Sequence, residues 1–497
     1  MVHTVLGLDL GTSTLKAVLL GADGAVRAAA VRSYPTAHPH PAWAEQNPAD
    51  WLAAMHEAVA ALREADASGF ARLAAVGLCS AAHIPVLLDA TGTVIRPAIL
   101  WSDQRSEAEV RALERDLADT LAAETLNAAG CTWTLPQLMW VRRHEAEAFA
   151  RARTLLSSKD YLIFRLTGRR VTDPASAAAT LLYDVGGRRW SPTLAAAAGL
   201  PPEALPELLP PLARAGKVTP AAAAAYGLPV GLPVIVGGLD SATELLGCGI
   251  VAPERAGMVM VGSSGGIMAV TPRRSCERGI LTYPYVLDGL YTKQAGTNAC
   301  ATSLSWLAGV LASVPGCAAP GHEDLDAMAA QSPPGARGLI FHPYLQGERA
   351  PYWNPDLRGS FTGLDRTHRA CDFVRAVMEG VAMSLRDCLA MFAANGFPLS
   401  RAVMAGGVAR SPVWRQIITD VLGIETFTTG SGESAFGAAL LAATACGLFP
   451  SLEAAAADCV KPERTLRPDA ALADLYGRSY ARYRILAGVF DSLSKSA

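Results

Sequence analysis

The chain has 497 residues, 51% of them hydrophobic, and a formal net charge of -2. This length exceeds the roughly 250–300 residues at which one core stops growing, so two large domains are expected. The near-neutral, intermixed charge offers no basic patch for nucleic acid and no acidic solvating tail. Ten cysteines, Cys317 among them, show no C-x-x-C spacing and no adjoining His cluster. They read as buried thiols of a reducing compartment rather than as a zinc site or disulfide framework. No basic segment followed by a long apolar run opens the chain, and no stretch of about 18 apolar residues occurs. Neither a signal peptide nor a membrane span is expected, and the cytoplasm is the expected location.

In chain order, residues 5–10 read as a buried strand, 11–14 as a small polar turn and 15–20 as the returning strand. A second turn at 22–24 leads to a strand over 26–34, so the chain opens with an antiparallel meander. Residues 51–64 have helical periodicity. Residues 73–79 and 85–88 are strand-like, while 141–149, 159–166 and 176–182 look helical or mixed. The Pro-rich stretch 201–211 reads as a loop. A short strand at 234–236 ends in Gly237-Gly238-Leu239-Asp240, and a helix of small residues comes next over 241–247. Strand, small polar turn and strand then recur at 258–261, 262–265 and 267–270. Two copies of one phosphate-gripping hairpin would account for this, with a domain boundary just after Asp240. A strand at 401–404, the turn Gly406-Gly407, a helix over about 411–422 and a last helix over 472–493 complete the chain.

Five segments have the composition of a site. In Asp9-Leu-Gly11-Thr12-Ser13-Thr14, glycine admits a phosphate to the backbone, N–H and hydroxyl groups donate to it, and the Asp can hold Mg²⁺ through water. An ordinary hairpin turn has the same residues. Gly262-Ser263-Ser264-Gly265 offers the same chemistry, and a triphosphate gripped from both sides needs two such turns. Neither is a G-x-x-x-x-G-K-[ST] loop, which occurs nowhere in the chain. Asp240, at a strand end beside a helix N-terminus, can take a proton from an attacking hydroxyl, although helix N-caps are also commonly Asp. His83 with Trp101, Asp103 and Arg105 suits a small polyhydroxy ligand, whose C–H faces stack on aromatics and whose hydroxyls meet imidazole and carboxylate. Gly406-Gly407-Val-Ala-Arg410-Ser411 could leave a flat slot for adenosine or could be a plain strand-to-helix turn.

Together these segments resemble the FGGY family of carbohydrate kinases, and within it the xylulokinase-like branch, nearly end to end. The resemblance runs through Gly7-Leu-Asp9-Leu-Gly-Thr-Ser13, Leu100-Trp-Ser-Asp103-Gln-Arg105 and Lys159-Asp-Tyr-Leu162 followed by Leu166-Thr-Gly168. It continues through Gly237-Gly-Leu-Asp240, Pro343-Tyr-Leu-Gln-Gly-Glu348-Arg-Ala-Pro351 and Ala405-Gly-Gly-Val-Ala-Arg410. A family signature also appears in Gly359-Ser-Phe-Thr-Gly363-Leu364 with Asp372-Phe-Val-Arg-Ala-Val-Met-Glu379.

The resemblance implies an α/β fold of two ribonuclease-H-like domains, as in the actin, hexokinase and Hsp70 superfamily, each a five-stranded mixed sheet with helices on its faces. The domains would span residues 1–240 and 241–497, with ATP and sugar in the cleft between them. It makes Asp240 the catalytic base and Asp9 the carboxylate near Mg²⁺. Gly11, Thr12 and Ser13 become the first phosphate loop, Gly262, Ser263 and Ser264 the second, and Gly406, Gly407 and Ser411 the adenosine turn. His83, Ala82, Trp101, Asp103 and Ser241 fall to the acceptor.

The implied reaction is ATP-dependent phosphorylation of a terminal hydroxyl of a ketopentose, D-xylulose first, with no nucleic acid or membrane partner; a homodimer is expected by analogy with related kinases. Three segments depart from the branch. Ala81-Ala82-His83-Ile84 stands where Gln-Met-His-Gly is usual, Asp240-Ser241 where Asp-Asn is usual, and Gln137 where Lys is usual. Ala82 and Ser241 shorten side chains at the acceptor, which keeps D-ribulose, L-xylulose or a polyol such as erythritol open as acceptors. A catalytically silent sugar or nucleotide sensor is the reading from another functional class.

Overall fold

The computed structural model describes residues 3–253, 256–314, 316, 318–430 and 433–495. Two mixed sheets organise it. The first runs in the order Arg214–Lys217, Pro233–Leu239, Leu73–Ser80, Thr4–Leu10, Thr14–Gly21, Val26–Ser33. Its three central strands, Pro233–Leu239, Leu73–Ser80 and Thr4–Leu10, are mutually parallel, and the opening meander pairs antiparallel. The second sheet runs Leu281–Pro284, Tyr291–Thr297, Gly265–Thr271, Ala256–Val261, Arg401–Ala405, Glu425–Thr429, Pro462–Leu466. Here too a central antiparallel hairpin lies beside strands that run parallel to its first arm.

Both sheets thus contain the same five-strand pattern, which is the ribonuclease-H-like arrangement. The expected count of five is exceeded, because edge strands extend the first sheet to six and the second to seven. The added strands, Arg214–Lys217, Leu281–Pro284 and Pro462–Leu466, all pair antiparallel to the edge they cover. Each takes up backbone groups of the strand it joins and becomes the new edge of its sheet.

Helices begin where capping residues allow. The first starts at Pro48, three residues before the expected Trp51, because Asn47 caps it by accepting from Ala49 N at 3.1 Å. Its buried face of Trp51, Met55, Val59 and Leu62 lies on the first sheet. The expected helix over 141–149 is split, Thr134–His144 and Ala146–Arg151, with the break at Glu145. Only Pro174–Ala178 of the stretch around 176–182 is helical. The Pro-rich stretch 201–211 holds a 3₁₀ turn and a two-residue strand, Glu207–Leu208, paired to Val171–Thr172. The strand expected over 234–236 runs instead from Pro233 to Leu239, through both glycines.

One helix carries the junction of the two halves. Ser434–Ala445 is buried over most of its surface, and its apolar residues are not confined to one stripe. Such a helix must be covered all round. It packs against Thr4–Leu10 and Leu73–Ser80 of the first sheet and against the helix Asp240–Gly247. The approach is close enough that a Cβ on Gly7, Gly77 or Gly437 would lie 2.0, 2.2 or 1.8 Å from a backbone oxygen.

The nine described cysteines are free, and Cys317 lies outside the described residues. Among the described residues no helix is long and apolar enough to cross a membrane.

Candidate active site

Strand register places the two key carboxylates at one end of the first sheet. Asp9 is paired with Cys79, which is paired with Gly238, and the next row is Leu10, Ser80 and Leu239. Asp240 comes directly after and opens the helix Asp240–Gly247. Its Oδ1 accepts from Ser241 N at 2.6 Å, while Cys79 Sγ donates to Asp9 Oδ1 at 3.5 Å.

Burial pushes the Asp240 carboxyl up to about 7, with repulsion from Asp9 adding to it. Burial likewise raises Asp9 to about 6 against the pull of Lys16. Glu244, one helical turn beyond Asp240, is raised to about 8 by burial and by both aspartates. A proton acceptor poised near neutrality is what general-base chemistry requires. Nothing in the sequence pattern singles out Glu244.

The two polar hairpins share a bonding pattern. In the first, Gly11 O accepts from the Tyr34 hydroxyl, Thr12 O from Gln46 Nε2 at 2.7 Å and Ser13 O from Tyr34 N at 3.2 Å. In the second, Gly262 O accepts from Ala301 N at 2.9 Å, and Ser263 O from Cys300 N at 3.0 Å and Thr302 Oγ1 at 2.9 Å. Ser264 O accepts from Gly262 N at 2.9 Å. Turn carbonyls that would repel a phosphate are therefore committed to protein donors in both loops. The helix Ala301–Ala312 starts directly beside the second loop, and a helix N-terminus favours anions.

Pairing of Met260 with Ala405 brings Gly406 alongside the second loop. Gly406 has φ +88°, and a Cβ there would meet Val261 O at 2.5 Å. Gly407 is exposed, with nothing within 4 Å of where its Cβ would be, so a flat group could lie over it. Ser411 has another occupation in this structure: its hydroxyl donates to Asp326 at 2.7 Å and caps the helix Pro412–Leu422 by accepting from Trp414 N.

His83 is buried, with φ +61°, and both ring nitrogens are bonded. Nδ1 meets Ala179 O at 2.8 Å and Nε2 meets the Tyr283 hydroxyl at 3.0 Å. The pairing with a carbonyl makes Nδ1 the donor, which leaves Nε2 as an acceptor for a hydroxyl. Burial lowers the imidazole to about 4, so it is neutral at pH 7. Its ring packs edge-on against Trp133 at 4.4 Å between centroids. A recess beside it is lined by Ala82, Thr134, Ser176, Thr180 and Leu239. Sequence reasoning missed Tyr283 and Trp133; Tyr283 arrives from a strand of the other sheet, 200 residues away.

The loop expected to face the sugar divides its labour. Trp101 Nε1 donates to Thr12 Oγ1 at 2.9 Å and so ties this loop to the first polar hairpin. Asp103 is 1% exposed and spends both oxygens within the protein, on Ala44 N at 2.6 Å and on a fork with Arg105. It anchors the loop rather than presenting a free carboxylate to a hydroxyl. Gln137, where the family usually has Lys, donates to Leu100 O at 3.2 Å and steadies the same loop.

Among the described residues no three His, Cys, Asp or Glu side chains converge as a metal cage. Mg²⁺ commonly takes one or two carboxylates, with waters and substrate phosphates completing the shell. Asp9, crowded by Asp240 and Glu244 with Lys16 as the cation acting on it, fits that mode.

The FGGY family of carbohydrate kinases, N-terminal domain, matches residues 4–247, and its C-terminal domain matches 257–446. A xylulose kinase of Escherichia coli is 35% identical over 453 residues, 90% of this chain and 91% of the relative. A gluconokinase of Bacillus subtilis is 29% identical over 513 residues, 100% of this chain and 96% of the relative. The crystal structure of a xylulose kinase from Rhodospirillum rubrum superposes with a TM-score of 0.90 at 32% identity, covering 99% of this chain and 100% of that one. The paired hairpins, the strand-end carboxylates and these matches over most of its length place the chain in the FGGY family of carbohydrate kinases, as an ATP-dependent sugar kinase.

Proposed function

We propose that the protein transfers the γ-phosphoryl group of ATP to the terminal hydroxyl of a ketopentose, D-xylulose, giving D-xylulose 5-phosphate and ADP. The observation that carries this is Asp240, at the strand end and pushed up to about 7, its charge acting on the Tyr283 hydroxyl that bonds a neutral His83. Relatives named as xylulose kinases support the choice of acceptor.

Asp240 takes the proton of the attacking hydroxyl as the new O–P bond forms and the bond to ADP breaks. A second sugar hydroxyl takes the place of the Tyr283 hydroxyl as donor to His83 Nε2. Backbone N–H and hydroxyl groups of Thr12, Ser13, Ser263 and Ser264 hold the phosphates, while Gly11 N and Gly262 N close the two turns onto Thr14 O and Ser264 O and let the phosphates approach the backbone. The adenosine lies over Gly406 and Gly407. Asp9 would hold Mg²⁺, which would supply charge neutralisation on the phosphates. Phosphoryl transfer of this kind rests on positioning and electrostatics more than on covalent participation.

We assign residues 1–240 and 241–497 to the two domains, because the first sheet's last strand ends at Leu239. Both substrates are those of the cytoplasm, which we take as the site of action.

An ADP-release screen over ketopentoses, gluconate, erythritol and glycerol tests the acceptor. Saturation by D-xylulose at the lowest KM is expected; preference for another acceptor would replace it. Ser241→Asn and Ala82→Met restore the longer side chains usual in xylulokinases. If Ser241 and Ala82 loosen the sugar site, the pair of changes should lower the KM for D-xylulose severalfold, read in the same assay.

The pH profile derives from Asp240. Below its pKa the carboxyl is protonated and cannot accept a proton. The kcat/KM of the enzyme should therefore rise with pH through about 7 and then level. His83, lowered to about 4, should add no limb near 6.5. A flat profile from pH 5 to 8 would count against the assignment.

A further inference from the structure

The strand that carries Asp240 is broken by a bulge. Ile235 pairs with Gly77 and Gly238 with Cys79, so Val236 and Gly237 together oppose the single residue Leu78. Gly237 has φ +76°, and a Cβ there would lie 1.7 Å from Leu78 O. Bulges bend a strand and re-aim the residues beyond them. The residue re-aimed at the end of this strand is Asp240.

Lys159 grips that bulge. Its side chain is fully buried, and Nζ donates to Val236 O at 3.1 Å. The same ammonium meets Asp160 Oδ1 at 2.6 Å and Asp173 Oδ1 at 3.1 Å. Asp160 completes a capping box with Ser157 at the start of the helix Ser158–Thr167. Asp173 caps the helix Pro174–Ala178 through Ala175 N at 2.9 Å and Ser176 N at 3.2 Å. That short helix leads directly to Ala179, whose carbonyl fixes His83, and Ser176 lines the same recess. One buried cation is thus bonded to the strand of Asp240 and to the N-cap of the helix that orients His83.

We propose that Lys159 is a positioning residue: it sets the distance and angle between Asp240 and the acceptor held at His83. The proposal rests on the reading of Asp240 as base and of His83 as an acceptor contact. A buried ion cluster is weak evidence for stability, since apolar replacements of similar volume are often neutral. Geometry at a reacting centre is far less forgiving, because a displacement of about 1 Å can cost about 10²-fold in rate.

The test uses the charge-balanced pair Lys159→Met with Asp160→Asn, which removes one positive and one negative charge and leaves the cluster's net charge unchanged. Unfolding midpoint, kcat and the KM for acceptor and for ATP are measured on the full chain. The expected result is a kcat about 10²-fold lower and an acceptor KM raised severalfold. The KM for ATP should stay within about twofold, because the nucleotide grips lie on other hairpins. If kcat and acceptor KM stay within about twofold of wild type on folded enzyme, the cluster only stabilises the fold and the proposal fails.

Asp173→Asn covers the case in which the pair does not fold. It keeps the ammonium and its bonds to Asp160 and Val236, and cuts only the charge link to the His83 helix. It should raise acceptor KM severalfold with kcat at saturation little changed; an unchanged acceptor KM overturns the coupling. Asp240→Ala run alongside separates the two readings. Full activity there would remove the base assignment itself. Its inactivity beside an active Lys159→Met, Asp160→Asn enzyme would remove only the role of Lys159.

Discussion

Asp240→Ala is expected to lower kcat by about 10²–10⁴-fold, the usual loss when a positioned general base is removed. ATP binding should be nearly intact, because the turn carbonyls of both phosphate hairpins are held by other donors and Asp240 bonds to the neighbouring Ser241 N–H instead. Local structure should survive as well. Loss of that single hydrogen bond is a small change, and the raised carboxyl shows that the charge is poorly tolerated where it sits. The stability consequence has a definite sign. Asp9, Asp240 and Glu244 all have folded-state values above their ordinary ones, so the folded protein binds more protons than the unfolded chain. Their contribution is fully favourable below about pH 4 and is lost as pH rises through 6 to 8. The ligand-free protein should unfold at a lower temperature at pH 8 than at pH 5, and Asp240→Asn should flatten that slope. Rate loss together with a flatter stability profile would distinguish removal of the buried Asp240 carboxylate from general damage.

Gly437→Ala is expected to cost several kcal/mol, beyond the about 1–3 kcal/mol typical of an overpacked core. The added methyl would sit 1.8 Å from Thr243 O, a backbone atom of the facing helix, so relief requires the helices to move apart. The helix Ser434–Ala445 is pressed at the same time onto the first sheet, where Gly7 and Gly77 leave no room to yield. With a total stability of about 5–15 kcal/mol, such a loss should appear as a large drop in the unfolding midpoint and in soluble yield. Gly309→Ala is the control: it lies in the helix Ala301–Ala312 with nothing within 4 Å of its added carbon, and should be neutral or slightly stabilising. Equal midpoints for the two variants would show that the two helices can part at little cost.

The features legible in the sequence are local. Each polar hairpin announces itself as apolar strand, Gly/Ser/Thr turn, apolar strand, and both fall at the centre of a sheet with the same strand pattern. Asp240 is a candidate as a carboxylate between a short apolar strand and a helix, a place that a capping Asp also takes, and strand register does bring it to the same sheet end as Asp9. The features that escape sequence reading depend on contacts between distant segments. The strand 233–239 reads as ending at 236 because two glycines close a strand pattern, whereas here it continues through both, with Gly237 beside Val236 in a bulge and Gly238 paired to Cys79. Tyr283 reaches His83 from the other half of the chain, and no local periodicity points to that. The helix Ser434–Ala445, apolar on all sides, carries no amphipathic stripe by which a surface helix is recognised. Asp103 has the right chemistry for a sugar hydroxyl, but a carboxylate two residues before an Arg can equally close a fork with it, and burial decides for the fork.

Phosphoryl transfer to a sugar hydroxyl, with Asp240 as base, is tested most directly by ³¹P NMR of the protein with ATP, Mg²⁺ and D-xylulose. ADP and a sugar monophosphate should appear in equal amounts, with the phosphate on the terminal carbon, and the sugar phosphate signal should vanish with Asp240→Ala. Equal turnover by Asp240→Ala, or ADP accompanied only by inorganic phosphate, would contradict that chemistry.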